Sequence, residues 1–433
     1  MRTRFTWILG VTVLISVAAL VACSSKYSAS NNGLVVVSTQ GDAVMQSFSL
    51  DLGNGHVTQI NNVGGPPTNG VPTSVVLDPA GSFAYVIVTQ SVNVNQSVTG
   101  VQAFQIASDG KLAAMGMAMP LNPEGFTPPG SSTSESIPVV PIAMTIDSGG
   151  KFLFIADSST TDGTFPVPGA ISVLAIGGGG ALTEVTGSTP LLSSPFVLPE
   201  QTGGTTPRAS ALAVTPTVYP PAFAICSANV PPTTENLYVT DSINYVILNY
   251  SVSSTGVLTL VPTSSTLGLP TGTSPAGVTV DPCNRFVYVS NGQPNNSVSA
   301  YTICSATSFP TCTQPDFSLR VVTGSPFAAG TAPGPLMMDA YANFLYVVDT
   351  AQNAISGYRV STTTGSLTPL SPATTTTNSF PTSIAIRGDD TWMFVTNLNS
   401  ANVSQYAITP STGSLTPQPP AQTDNFPWGV AVK

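Results

Sequence analysis

Histidine, the side chain that most often moves protons near neutral pH, occurs only once in the 433 residues, as His56. A single imidazole excludes any catalytic or metal site that is built on two or more histidines. A Ser-His-Asp relay is also not indicated, because no Gly-x-Ser-x-Gly elbow is present. His56 itself lies in a Gly- and Asn-rich stretch that predicts a solvated turn, so any hydrolysis would have to depend on carboxylates and on Arg208.

The overall composition favours an all-β protein that does not bind nucleic acid. Charged residues make up 7% of the chain, with 11 Lys+Arg against 20 Asp+Glu and a net charge of −9. The cations are scattered singly, so no basic stripe is available to neutralise phosphates. Apolar residues account for 42%, which is enough for a large core, while 38 Gly and 39 Pro disfavour long helices.

The N-terminus is predicted to be an export signal. Arg2 and Arg4 precede an uncharged apolar run from Phe5 to Ala22, and Cys23 follows directly. The end of this run resembles the lipobox of bacterial lipoproteins, in which the cysteine is acylated and becomes the first residue of the mature chain. We therefore expect a signal peptide over 1–22 and a lipidated polar linker over 23–32. The alternative is an uncleaved signal anchor, since the run could also just span a bilayer.

The expected location of the exported chain is the outer membrane, either in the periplasm or at the cell surface. In Gram-negative lipoproteins an aspartate just after the cysteine favours retention in the inner membrane, and this chain has Ser24 there. The predicted membrane contact is the lipid anchor on Cys23.

The remainder of the chain is predicted to consist of seven repeats. In each one a strand has an aromatic residue or valine, then an apolar residue, a small residue and often Asp or Asn. The copies begin at Val36, Tyr85, Phe154, Tyr238, Tyr288, Tyr346 and Phe394. A second strand, often opened by proline, precedes every copy except the first. With an alternating strand and usually a Gly-x-Leu-Thr turn downstream, each unit contains four short strands.

The strand that the first repeat lacks is found at the other end of the chain. Residues 427–433 have the pattern of the strand that precedes every other copy. A four-stranded unit repeated around an axis is a propeller blade. The prediction for 33–433 is therefore a seven-bladed β-propeller in which N- and C-terminal strands share blade one, so that neither end leaves an open sheet edge.

The repeats resemble the YVTN family of seven-bladed propellers, most clearly at residues 238–241 and 394–397. The Gly-x-Leu-Thr turns also resemble the lactonase branch, which includes 6-phosphogluconolactonase and a muconate-cycloisomerising enzyme. The resemblance implies a catalytic site of His, Glu and Arg at the central mouth. This chain departs from that pattern, because His56 is predicted to lie on the opposite face.

The predicted ligand site lies on the face that carries the connections from second to third strands and from blade to blade, here called the first face. Three insertions fall on it, at 116–136, 158–168 and 189–206. Its mouth would be lined by the residues that open the inner strands. The candidate ligand-binding residues are Thr73, Arg208, Ser210, Thr382 and Trp428. Arg208 is the candidate for an anionic ligand, and its alternative interpretation is a solvated loop arginine.

The polar residues that end the second strands point at the same face. They are Asp157, Asp241, Asn291, Asp349 and Asn397. They could form a polar ring, or their short side chains could hydrogen-bond the following backbone and fix the turn. Their spacing does not match a calcium-binding loop.

Four further cysteines are consistent with export into an oxidising compartment. Cys226 and Cys283 are predicted in equivalent loops of blades four and five, and Cys304 and Cys312 flank one turn. We expect disulfides between Cys226 and Cys283 and between Cys304 and Cys312. Free thiols or a zinc site are the alternatives, although no Cys-x-x-Cys pair is present.

Together these features predict a membrane-anchored binding or scaffolding module with no cofactor and no metal. Its partner at the mouth would be a small molecule, a carbohydrate or a protein. The alternative function is hydrolysis of a sugar or aromatic lactone at the same mouth.

Overall fold

The computed structural model contains the seven four-stranded repeats as seven sheets arranged as blades. It describes residues 32–433 except 61–64, 94–95, 129, 162–163, 190–192, 202–204, 217–234, 262–266 and 305–316. The predicted signal peptide and nearly all of the predicted linker therefore lie outside the described residues. Within the described part, no helix is long and apolar enough to cross a membrane.

The strands of the first four blades follow, from the axis outward. Blade one contains Pro427–Val432, Asn32–Thr39, Val44–Asp51 and Val57–Gln59. Blade two contains Val71–Leu77, Phe83–Asn93, Gln96–Ile106 and Leu112–Ala114. Blade three contains Val140–Ile146, Phe152–Ser158, Ala170–Ile176 and Leu182–Glu184. Blade four contains Ala209–Val214, Glu235–Asp241, Val246–Val252 and Leu258–Leu260.

The last three blades repeat the same order. Blade five contains Pro275–Val280, Phe286–Asn291, Ser297–Ile303 and Leu319–Val321. Blade six contains Pro333–Met338, Phe344–Asp349, Ala354–Val360 and Leu367–Thr376. Blade seven contains Pro381–Ile386, Trp392–Asn397, Asn402–Ile408 and Leu415–Gln422.

Several short elements were not predicted from the sequence. In blades two to five a further two-residue strand pairs with the third strand, at Met119–Pro120, Phe196–Val197, Leu269–Pro270 and Phe327–Ala328. The first-face insertions contain two hairpins, Glu124–Phe126 with Glu135–Ile137 and Thr160–Thr161 with Pro166–Val167. Short 3-10 turns occur at Gly178–Gly180 and Leu398–Ser400.

The predicted closure of blade one is confirmed. The C-terminal strand Pro427–Val432 lies antiparallel to Asn32–Thr39, with Val430 opposite Val37. Beyond this ladder, the Leu34 amide donates to the Lys433 carbonyl (3.1 Å) and the Lys433 amide donates to the Leu34 carbonyl (2.8 Å). The two ends of the propeller are thus held together by the same backbone bonds that build every other blade.

The apolar core lies between the blades. Among the described residues, buried side chains form seven clusters, and each cluster joins two neighbouring blades around the ring. The cluster between blades seven and one contains Val37, Phe48, Trp392, Phe394 and Val430. A sheet with both faces buried between neighbours has strands that are apolar throughout, which explains why the second strands show no alternation.

The small hydroxyl residue in the third position of the repeat joins adjacent blades. In three blades its side chain donates to a carbonyl of the next blade's inner strand: Ser38 Oγ to Thr73 (2.5 Å), Ser290 Oγ to Gly334 (2.6 Å) and Thr396 Oγ1 to Trp428 (2.9 Å). The last of these bonds crosses the closure between blades seven and one.

The glycine of the Gly-x-Leu-Thr turn packs on an aromatic ring of the preceding blade. Gly365 has a positive φ of 74°, and a Cβ added there would lie 2.5 Å from the Phe286 ring. The Tyr288 hydroxyl donates to the carbonyl of this glycine (3.0 Å). Gly413 makes the equivalent contacts with Phe344 and Tyr346. Both the backbone conformation and the close approach require glycine here.

Two of the four cysteines in the predicted disulfides lie within the described residues. Cys283 and Cys304 are buried and each is disulfide-bonded, whereas Cys226 and Cys312 lie outside the described residues. The Asn284 side chain donates to the Pro216 carbonyl (2.8 Å), which brings the equivalent loops of blades five and four together. The Cys304 amide donates to the Ser318 carbonyl and its carbonyl accepts from the Phe317 amide (2.8 Å each). The pairings with Cys226 and Cys312 stay predictions.

If ring closure stabilises the whole propeller, Val430→Asp will lower the free energy of unfolding by about 3 kcal/mol or more, since it places an unpaired charge in the core. Val430 is only 4% exposed. Urea unfolding followed by tryptophan fluorescence measures the change. The matched control is Thr416→Asp, an exposed position in blade seven, for which we expect a change within about 0.5 kcal/mol. Equal unfolding midpoints for the two variants would contradict closure.

Candidate functional site

The inner strands connect the two faces of the propeller. Each inner strand begins at the first face, where its opening residue pairs with the end of the second strand, as Ala209 does with Asp241. It ends at the opposite face, which carries the connections from first to second and from third to outer strands. The sequence-predicted candidates therefore lie at the first-face end of the channel.

Three of the five candidates lie on neighbouring blades. Thr382, Trp428 and Thr73 open the inner strands of blades seven, one and two, which are adjacent in the ring. The Thr382 hydroxyl donates to the Trp428 carbonyl (2.9 Å) and meets Thr396 Oγ1 at 3.0 Å. Thr73 Oγ1 is buried without a hydrogen-bond partner, and the Trp428 side chain is half-buried.

Arg208 and Ser210 form a separate group at blade four. The Arg208 side chain is exposed, and its Nε donates to Ser242 Oγ (2.9 Å). Ser210 Oγ lies 2.8 Å from Thr240 Oγ1 on the neighbouring strand. The candidates thus fall into two groups on separated blades, and the hydroxyls of Ser210 and Thr382 are already bonded within the propeller. This arrangement provides a polar rim and an aromatic surface at the mouth.

The first face also carries an apolar rim. Among the described residues, every exposed large apolar side chain except Val321 lies in or beside the connections of this face. They are Val71, Met115, Met117, Val140, Ile142, Val197, Ile243, Tyr245, Phe380 and Phe426. Phe426 is 51% exposed and Phe380 is 42% exposed, next to the inner strands that contain Trp428 and Thr382. Concentrated exposed apolar surface marks interaction sites on soluble proteins.

The polar residues that end the second strands do not form an open ring, because all five are buried. Asp241 Oδ1 accepts hydrogen bonds from the amides of Ile243 and Asn244, as the turn interpretation predicts. Asp349 and Asn397 instead bond Ser356 (2.6 Å) and Ser404 (2.9 Å) on the third strand. Asp157 and Asn291 bond hydroxyls of their third strands in the same way. These residues hold the second and third strands together beneath the first face.

One group of carboxyls under the insertions has strongly raised pKa values. Burial, together with smaller effects of the nearby Glu124 and Glu184, raises the pKa of Asp157 to about 8. Burial also raises the pKa of Glu124 to about 7 and that of Glu184 above its usual value. Glu184 accepts hydrogen bonds from the Asn122 amide (3.1 Å) and Ser194 Oγ (3.1 Å). The carboxyls therefore help attach the insertions to blade three.

His56 lies where the sequence places it, exposed in the turn between the third and outer strands of blade one. Its Nδ1 meets Thr58 Oγ1 at 3.1 Å. Within the described part of the chain, no cluster of three or more His, Cys, Asp or Glu side chains could hold a metal ion.

Two cavities at the opposite end of the channel were missed by the sequence reasoning. The first, of about 480 Å³, is lined by the acids Asp78 and Asp389, the bases Arg387 and Lys433, and Leu77, Pro79, Gly388 and Val432. The second, of about 310 Å³, shares Arg387 and Gly388 and is otherwise lined mainly by apolar residues such as Met337 and Ile386. The feature of the sequence that could have indicated a site at this end of the channel is the residue that ends each inner strand. It is Asp or Thr in blades two to six, but Arg387 and Lys433 in blades seven and one.

Comparisons with known proteins agree with this architecture. The family model of the lactonase seven-bladed β-propeller matches residues 316–425, the region of blades six and seven with the end of blade five. A candidate 6-phosphogluconolactonase from Bacteroides fragilis is similar in structure, with a TM-score of 0.65 and 15% identity over 94% of this chain and 99% of that chain. The periplasmic gluconolactonase of Pseudomonas aeruginosa has a TM-score of 0.64 and 15% identity over 93% and 99%. The comparison with curated proteins finds no match.

The fold and the comparisons define the class of the protein. The chain is a seven-bladed β-propeller, and the resemblance of its repeats to lactonase propellers is matched by the family model over residues 316–425. At this level of identity the solved structures establish the fold alone, because tandem repeats specify a fold far better than an activity.

The buried carboxyls predict a pH dependence of stability. The raised pKa of Asp157 means that its neutral form stabilises the folded state, so its contribution is complete below about pH 4 and is lost as the pH rises toward 8. Asp157→Asn removes this loss, and blades five and seven carry asparagine at the equivalent position. We expect the variant to be more stable than the unchanged chain by about 1 kcal/mol or more at pH 8, with the difference shrinking as the pH falls toward 4.

Asp349→Asn provides the matched control, because burial raises the pKa of Asp349 only to about 6. Its gain should be smaller and should develop at lower pH. Urea midpoints at several pH values between 4 and 9 measure both effects. A pH profile of Asp157→Asn that coincides with that of the unchanged chain would contradict the assignment.

Proposed function

We propose that the protein is an exported, lipid-anchored propeller that binds a partner through its first face. The observation that carries the proposal is the apolar rim, which places exposed aromatic residues next to Trp428 and Thr382. Flat aromatic and apolar surfaces with a few polar groups suit a protein segment or a carbohydrate. The hydroxyls of Ser210 and Thr382 are engaged within the propeller, which suits a rigid binding surface better than a set of reacting groups.

Lactone hydrolysis is the second candidate function. It is favoured by the family match over 316–425 and by the fold shared with lactonases. Against it, the two groups of mouth residues lie on separated blades, with Arg208 as their only charged member. A hydrolase acting here would depend on Arg208 to stabilise a developing oxyanion.

Export and anchoring belong to the same proposal. The lipobox-like residues 20–23 support cleavage before Cys23 and acylation of its thiol. The disulfide-bonded Cys283 and Cys304 are typical of an oxidising compartment, and one protein of the same fold is periplasmic. Ser24 favours the outer membrane.

Binding through the first face is tested by placing a photoreactive benzophenone amino acid at Phe426 in the membrane-bound protein. Irradiation should yield a discrete adduct, because position 426 lies in the proposed contact surface. The matched control is Val321, which is 55% exposed but lies outside the first face, and it should yield none. The purified protein should also leave glucono- and aromatic lactones unhydrolysed.

Two results would overturn the binding proposal. Equal adducts at 426 and 321 would show that the first face is not selective. Lactone turnover by the purified protein that is lost in Arg208→Ala would establish the hydrolase instead.

The anchor is tested with Cys23→Ala, which should abolish incorporation of labelled palmitate and move the protein from the membrane to the soluble fraction. Ser24→Ala should change neither property. Ser24→Asp should move the protein to the inner membrane. A Cys23→Ala protein that stays in the membrane without label would support an uncleaved signal anchor and contradict acylation.

A further inference from the structure

The described chain begins at the opposite face. The second strand of blade one starts at Asn32 and ends at Thr39, which pairs with Pro427 at the first face. At its other end, Leu34 bonds Lys433, and a Cβ added to Gly33 would lie 3.3 Å from Arg387 Nε. The described chain therefore begins beside Arg387 and Lys433.

The length of the segment that precedes Asn32 limits how far the propeller can stand from an anchor on Cys23. Eight residues lie between Cys23 and Asn32 in the sequence, which makes nine Cα–Cα steps. Fully extended, they span about 30 Å at most, since one residue covers about 3.5 Å. This is shorter than the width expected for a domain of this size, so the anchor holds the opposite face close to the bilayer.

The cations are concentrated on this same face. Within the described part of the chain, every lysine and arginine except Arg208 lies at or near its turns. They are Lys111, Lys151, Arg285, Arg320, Arg359, Arg387 and Lys433. Their positive charges offset most of the negative charges of the acidic residues on that face. Several of these acidic residues accept backbone hydrogen bonds, as Asp78 and Asp147 do. The first face has exposed Asp42, Glu135 and Glu200 and only one cation, Arg208.

Arg387 and Lys433 also differ from the equivalent residues of the other blades in the hydrogen bonds that their side chains make. In blades two to six the equivalent Asp or Thr accepts amide hydrogen bonds in the following turn, as Asp339 does from Asn343 and Phe344 (2.7 Å each). Here the Arg387 guanidinium pairs with Asp389 and its Nε lies 3.4 Å from the Lys433 carbonyl. Lys433 Nζ donates to the Ala80 carbonyl (2.6 Å). Both cations border the 480 Å³ cavity together with the carboxyls of Asp78 and Asp389, and the cavity is large enough to admit a phosphate group.

From these observations we infer that the opposite face rests against an anionic phospholipid surface, with headgroup phosphates at Arg387 and Lys433, while the first face points away from the bilayer. The inference depends on the proposed acylation of Cys23. Lipid phosphates attract a cation within about one Debye length, near 10 Å. The same field repels the acidic first face and leaves its apolar rim accessible to a partner.

The orientation is tested with the acylated full chain in vesicles of phosphatidylethanolamine and phosphatidylglycerol (3:1). The benzophenone amino acid is placed at Gly388 on the opposite face or at Phe426 on the first face. Gly388 is exposed, and a Cβ added there meets nothing within 4 Å, so a large side chain is tolerated. We expect lipid adducts, detected by mass spectrometry, to be several-fold more abundant at 388 than at 426.

The role of the cations is tested in the same assay. Arg387→Gln combined with Lys433→Gln should reduce the lipid adduct at 388 several-fold. For the protein that keeps both cations, vesicles of phosphatidylcholine alone should reduce the adduct at 388 to a similar extent. The matched control, Arg208→Gln, should leave it unchanged. Far-ultraviolet circular dichroism verifies that each variant is folded.

Each outcome separates the orientation from the anchor on which it depends. Protein that fails to float with the vesicles overturns the acylation and the orientation together. Protein that floats but forms as much lipid adduct at 426 as at 388 overturns the orientation while the anchor stands. Equal effects of the Arg387/Lys433 and Arg208 variants overturn the assigned role of the two cations.

Discussion

The backbone pairing between the first and last strands of the propeller is the constraint on which the rest of the structure depends. Because Pro427–Val432 supplies the innermost strand of the blade begun by Asn32–Thr39, every blade has two neighbours. The apolar core consists of interfaces between blades, so an open ring would expose the facing apolar surfaces of two blades. The Thr396 to Trp428 hydrogen bond and the packing of Trp392 on Gly55 show that this junction uses the same contacts as the others.

Much of this fold could be predicted from the sequence, because each feature of the repeat has a local physical cause. The hydroxyl in the third position bridges blades, the turn glycine admits an aromatic ring, and proline opens the inner strand where an amide donor is not needed. Because these causes act in several blades, the same residue types recur at the same positions of the sequence repeat. Closure could be predicted for the same reason, since residues 427–433 show the pattern that the first repeat lacks.

The functional surfaces could be predicted less well, because they depend on departures from the repeat and on distances across the ring. The candidates Thr73, Thr382 and Trp428 are adjacent, whereas Arg208 and Ser210 belong to another part of the rim, and the linear order does not reveal this separation. Arg387 and Lys433 replace a turn residue in two neighbouring blades, which only the closed ring brings together. Glu124 lies far from Asp157 in sequence and close to it in space.

The central claim is tested most directly by amide hydrogen exchange measured by mass spectrometry on segments 32–39 and 427–432. If the two strands close the ring, both segments will exchange as slowly as the buried second strands of the other blades, such as Tyr238–Asp241 and Tyr346–Asp349. Rapid exchange of 427–432, as in a frayed chain end, with protection retained in the other blades, would show that the ring is open and contradict the account.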